Sequence, residues 1–193
     1  MVLPVVKYGD PVLRRRGENI VKIDVALKQL ISNLFETMYA AHGIGLAAQQ
    51  IGVAKQVAVV DVRGVKDRPS QLWVEGHTCD VDSFMPLVLI NPLISPSGDF
   101  EVGPEGCLSF PEIYGDIRRP SKIEVTALNE RGESFHFTAG GLLARAIQHE
   151  ADHLNGLLFI DRMSSAVRSD VREDVDELQT ETKARLQATR RKA

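Results

Sequence analysis

At 193 residues the chain has room for one domain with a sizeable core and too little length for two ordinary ones. With 44% hydrophobic and 25% charged residues it is neither disordered nor a disulfide scaffold, and a formal charge of −3 gives no general electrostatic reason to bind DNA or other nucleic acid. No window reaches the roughly 18 apolar residues that span a bilayer, and the opening MVLPVVKYGD lacks the blocks of a signal peptide, so the expected setting is cytoplasmic, with no membrane partner.

Asp10-Pro11 signals a turn. Over residues 23–41, Leu27, Leu30, Ile31, Leu34, Phe35 and Met38 recur at intervals of three and four, which predicts a core helix ended by Gly43 and Gly45. Residues 57–62 read as a buried β-branched strand. Residues 64–84 read as a long polar surface loop, with Trp73 folded against the body. Further strands are predicted at 87–90, 100–102, 123–128 and 134–137, the last two joined by a hairpin turn at 129–132. A second helix over 142–155 stops at Gly156. A third begins at Ser164, with Val167, Val171, Val175 and Leu178 on one stripe and its acids preceding its bases, the order that complements a helix dipole.

The second helix carries His149-Glu150-Ala151-Asp152-His153. One helical turn separates the two histidines, so both imidazoles leave the same side and can reach one ion, while Glu150 stays free to take a proton from an activated water. The bland alternative is a pair of ordinary helix histidines bonded to neighbouring backbone. A metal reading needs a third ligand, and the metzincin histidine beyond the glycine is absent. Cys107 is the better candidate, because a Cys/His/His set leaves the fourth tetrahedral position open; Cys79 would instead allow a closed two-Cys, two-His site. Such a set accepts iron, zinc, nickel or cobalt. His42, His77 and His136 read as solvent-facing or satisfied.

Residues 43–48 also fit G-x-G-x-x-[GA], but that fingerprint needs a strand before it, and here a helix precedes it. Its glycines suit close approach to an extended ligand, with the Gln50 amide nearby, or a plain tight connection.

Three segments in this order, 43–50 as G-x-G-x-A-A-x-Q, 105–109 as E-G-C-L-S and 149–153 as H-E-x-D-H, resemble the peptide deformylases. The opening at 8–14 is also similar, so the likeness runs from near residue 5 to near residue 163. It implies a single α+β domain in which mixed β-sheets surround the central motif helix, with residues 1–163 as the catalytic part and 164–193 as a C-terminal helix and tail of the same domain. It implies one divalent metal, usually Fe(II), held by Cys107, His149 and His153, and N-formylmethionyl nascent peptides as substrate. Glu150 would accept the proton of the attacking water, and the Gln50 amide and Leu108 N–H would serve the oxyanion. Gly45 would pair with the extended substrate, and Ile44, Leu142 and Ala146 would wall an apolar methionine pocket. Glu105 and Asp152 would hold Arg118 or Arg119 behind the site, or else be surface carboxylates. Three positions depart from the family pattern: Arg145, expected at the pocket rim, Tyr114 in place of an arginine, and the length of the 64–84 segment. The terminal helix reads as a solvated cover over the core, or as a ribosome contact through Arg190, Arg191 and Lys192.

Overall fold

The computed structural model describes residues 1–191; Lys192, part of the basic end read from the sequence, lies outside the described residues. Asp24 begins α1 (Val25–Ala40), its side chain accepting from the Leu27 N–H at 2.9 Å. The helix buries Leu27, Ile31, Leu34 and Met38, the face that the spacing predicts. There follow β1 (Gly45–Ala47), a 3₁₀ turn over Ala48–Ile51, β2 (Val57–Val60), β3 (Ser70–Val74), β4 (His77–Thr78), α2 (Val81–Phe84) and β5 (Leu87–Pro96). Then come β6 (Phe100–Cys107), β7 (Phe110–Pro120), β8 (Lys122–Leu128), β9 (Ser134–Gly140), α3 (Gly141–Leu154), α4 (Ser165–Asp170) and α5 (Arg172–Arg190).

Seven strands form one sheet in the order β1-β2-β5-β8-β9-β3-β4, and β6-β7 form a separate hairpin sheet. Every named strand pairing is antiparallel, and the isolated bridge between Glu18 and Lys55 is parallel. Successive residues of β5 alternate between layers, as a pleated strand requires. Leu87 and Leu89 join the apolar layer that holds Leu143 and Ile147 of α3, whereas Val88 and Ile90 join Leu34 and Met38 of α1. The large sheet thus lies between α1 and α3. The inner face of β7 contributes Ile113 and Ile117 to a third cluster with Leu13 and Phe159, covered by Val167, Val171, Val175 and Leu178.

The fold departs from the sequence reading in four places. The 64–84 loop contains β3, β4 and α2, and Trp73 lies within β3 opposite Thr138, with the Lys122 ammonium 4.3 Å from its ring centroid. β3 and β4 sit at the sheet edge, where polar composition is tolerated, so their hydrophobic signal is weak. β7 escaped prediction because Pro111, Gly115, Asp116 and two arginines dilute its pattern; its pairing comes from β6, which itself runs on to Cys107. The glycine-rich turn ends in the edge strand β1, paired with β2. Finally, the third helix breaks at Val171 (φ −101°, ψ 4°), which separates α4 from α5 while keeping the predicted valine stripe on the core.

Candidate active site

The motif helix α3 is held at both ends by backbone that only glycine permits. Gly141 has φ +62°, and a Cβ there would meet the Pro69 carbonyl at 2.2 Å. Its first turn is satisfied from outside the helix: Leu142 N–H donates to Pro69 O at 3.0 Å and Leu143 N–H to Ser70 Oγ at 3.1 Å. At the other end Gly156 (φ +73°) donates to His153 O, as the sequence predicts for a helix stop.

From this helix His149 and His153 project side by side, ring centroids 5.0 Å apart. The β6-β7 hairpin turns at a bulge beside Gly106 and brings Cys107 Sγ to 3.3 Å from His153 Nε2. Donor atoms of Cys107, His149 and His153 all lie within 4.8 Å of one another, a set that could hold one metal ion. Cys79 lies instead between β4 and α2, packed against the apolar layer of α3, and belongs to no such group among the described residues. His77 and His136 are exposed; His42 is exposed at the cavity mouth.

Glu105 Oε2 lies 3.1 Å from His149 Nδ1, which leaves His149 Nε2 to face the Cys107 side. Behind this pair runs an ionic chain, buried at Glu105, Arg119 and Asp152 and exposed at Arg162. Arg119 donates to both oxygens of Glu105 (2.6 and 2.9 Å) and to Asp152 at 2.8 Å; Arg162 closes one end on Asp152 at 2.7 Å, and Arg145 closes the other on Glu105 at 2.8 Å. Of the two arginines the sequence left open, Arg119 is the buried one; Arg118 faces outward over Phe100, 4.2 Å from its centroid. Strand parity carries this signal, since Arg119 shares the face of the buried Ile113 and Ile117. Arg145 is not at a solvent rim: Nη1 also donates to the carbonyls of Gly103 (3.4 Å) and Ile117 (2.9 Å), and Nη2 to Glu101 O at 3.1 Å. The sequence reading missed Arg162 and also Lys7, which lines the cavity and donates from Nζ to Leu108 O at 2.8 Å.

Glu150 is 4% exposed, and its Oε2 has no hydrogen-bond partner. Burial pushes its pKa up to about 7, against the opposing pull of His149 and Arg119. A Cβ on Gly45 would lie 2.3 Å from Glu150 Oε1, so the glycine makes room for the carboxylate. Burial lowers the pKa of His149, but its hydrogen bonds to Cys107 and Glu105 outweigh it and hold the group well above its ordinary value. His153 goes the other way, lowered by burial and then by the His149 and Arg119 charges. Gln50 Oε1 accepts from Ala47 N–H at 2.9 Å, so Nε2 is aimed inward, 3.5 Å from both Cys107 Sγ and Ser109 Oγ.

These groups open into a cavity of about 580 Å³ whose walls include Ile44, Gly45, Leu108, Leu142 and Ala146. All the site residues read from the sequence therefore line it or, in the case of His153, lie buried directly beneath it.

The polypeptide deformylase family model matches residues 2–169. A peptide deformylase of Opitutus terrae is 47% identical over 187 residues, covering 95% of this chain and 96% of the relative. Among solved structures, the Synechococcus elongatus peptide deformylase in complex with actinonin is 40% identical with a TM-score of 0.73, covering 93% of this chain and 85% of that one. The Legionella pneumophila peptide deformylase is 36% identical with a TM-score of 0.77, covering 97% and 98%. With a matching family model over most of its length and close relatives along nearly all of it, the chain belongs to the peptide deformylase family.

Proposed function

We propose that Cys107, His149 and His153 hold one divalent cation with which the chain carries out the family's reaction, hydrolysis of the formyl amide on N-terminal formylmethionine peptides, releasing formate. The donor set fits such an ion. Three buried donors converge, Glu105 occupies the far nitrogen of His149, and the unpartnered Glu150 Oε2 points to chemistry that a packed core would not leave exposed to strain. A thiolate with two imidazoles suits Fe(II), our preferred occupant, and also zinc, nickel or cobalt. When bound, the cation supplies the positive charge that acidifies a water and polarises the formyl carbonyl.

The chain's own residues do the rest. Glu150, poised by burial near neutrality, accepts the proton of the attacking water and passes it to the leaving amine. Gln50 Nε2, oriented by its bond from Ala47, donates to the oxygen that gains charge, and the Leu108 N–H does the same from the hairpin turn. The edge strand β1 offers Gly45 for backbone pairing with the extended peptide, and Ile44, Leu142 and Ala146 wall the methionine side chain. Residues 1–163 carry this machinery, and 164–193 belong to the same domain, with α4 and α5 as a helical cover and a basic end whose sequence suits contact with the ribosome. None of the described helices is long and apolar enough to cross a membrane, which fits a cytoplasmic enzyme acting on emerging chains.

The convergence of Cys107 with the histidines of α3 beside an unpartnered Glu150 carries the assignment. Anaerobically purified, metal-loaded protein should release formate from formyl-Met-Ala-Ser, and Glu150→Ala should lose that rate by about 10²- to 10⁴-fold while keeping its metal. No formate from the loaded wild type would overturn the reading. For the tail, deletion of residues 183–193 should weaken salt-sensitive ribosome binding; unchanged binding would remove that role.

A further inference from the structure

Beside the catalytic cavity lies a second one of about 280 Å³, bounded by Val102, Gly103, Pro120 and Gly141. The two share walls at Arg68, Pro104, Leu142 and Arg145. Of these, Arg145 is fixed from several directions at once. Its guanidinium bonds to Glu105 and to the carbonyls of Glu101, Gly103 and Ile117, so both strands of the β6-β7 hairpin clamp it. It packs closely against Gly103, where a Cβ would lie 3.1 Å from Nη2 and 3.3 Å from Cζ. Arg145 is also one residue before Ala146 and three after Leu142, the two helix positions that wall the proposed methionine pocket.

We propose that Arg145 is a specificity-determining residue: a partition between the two cavities that sets the depth of the pocket for the substrate's first side chain. Its function in recognition is steric. Its Nη1 and Nη2 donors are directed at the hairpin, which fixes the flat guanidinium in place across the end of the pocket. An unbranched thioether of methionine length would end against it, and a longer chain would have to displace a group held by four acceptors. Removing the partition joins the second cavity to the first and gives a longer side chain somewhere to go.

This rests on the proposed deformylase reading, and the two fail separately. The readout is the ratio of kcat/KM for formyl-Met-Ala-Ser to that for the same peptide carrying S-butylhomocysteine, three methylenes longer, in place of methionine. Wild type should favour methionine; Arg145→Ala should reduce that ratio by about tenfold, chiefly by improving the long substrate. Arg145→Met, an unbranched uncharged replacement that reaches about as far as the arginine Nε, restores part of the partition and should keep the ratio closer to wild type than Arg145→Ala does. A ratio unchanged in Arg145→Ala, or relaxed equally in Arg145→Met, would overturn the proposal. Should the alanine variant fail to fold, Arg145→Leu shortens the partition with an apolar stem and should give an intermediate ratio; a wild-type ratio there would overturn it too. Because both substrates react at the same metal and the same Glu150, general damage to the site lowers both rates and leaves the ratio standing. Absence of any formate from wild type with formyl-Met-Ala-Ser would instead sink the underlying reading.

Discussion

The two sides of α3 are built from opposite materials. Towards the seven-stranded sheet it turns Leu143 and Ile147, both wholly buried among Leu72, Leu89, Val125 and Phe137. Towards the β6-β7 hairpin it turns His149 and Asp152, which meet Glu105 and Arg119 instead of hydrocarbon. The apolar side gains stability from dehydration and close packing, and tolerates any side chain of the right shape. On the ionic side, taking charges out of water roughly cancels their attraction, so what that side gains is orientation: each carboxylate has one geometry because its partners are fixed. One helix thus separates the residues that keep the fold from those that hold the candidate metal-binding histidines in place.

Substitutions on the two sides should separate in the same way. Leu143→Ala on the apolar side should cost about 2 to 5 kcal/mol in urea unfolding and leave kcat per folded molecule near wild type. Arg119→Met on the ionic side should cost about 3 kcal/mol, because Arg145 and Arg162 still hold one carboxylate each, but it should also lower activity and metal retention together. If Arg119→Met lost stability alone, the ionic side would be structural and the contrast would fall. Gln50→Ala should reduce kcat by about 10² to 10³ with little change in melting temperature, a purely kinetic loss on this reckoning. A smaller effect calibrates an ion pair remote from the ligands. Asp61 is pushed up by burial but pulled further down by Arg63 and Tyr39, so its folded pKa lies below the ordinary value near 3.9. Its stabilisation is therefore complete above that value and lost as pH falls through the lower folded pKa. The stability gap between wild type and Asp61→Asn should close on acidification, and a gap that widened would contradict the ion pair.

What the sequence made legible follows the strength of each local signal. α1 and α3 announce themselves because an apolar stripe and a glycine stop coincide. The candidate ligands were legible because such chemistry is confined to few residue types, and the proposed roles of Gln50 and Leu108 only through the family resemblance. β3, β4 and β7 were not, since their own composition is polar or broken by glycine and proline and their form comes from partner strands: β7 from β6, β4 from β3, and β3 also from the distant β9, where Leu72 sits opposite Ala139. Arg145 was expected at the pocket rim and does line the cavity, but nothing near it in sequence reveals the three carbonyls that meet it across the hairpin.

The bond from Leu142 to Pro69 has a consequence for how this chain can vary in length. Because the start of α3 rests on Pro69 and Ser70, residues 69–74 cannot be shifted along the chain without tilting the helix that carries both histidines. The turns at Gly64 and Gly76, by contrast, have open space around them, with nothing within 4 Å of an added Cβ. A longer or shorter 64–84 segment can therefore be accommodated at those two tips, and a tag or insertion placed there should leave the geometry of α3 intact where one placed at Pro69 would not.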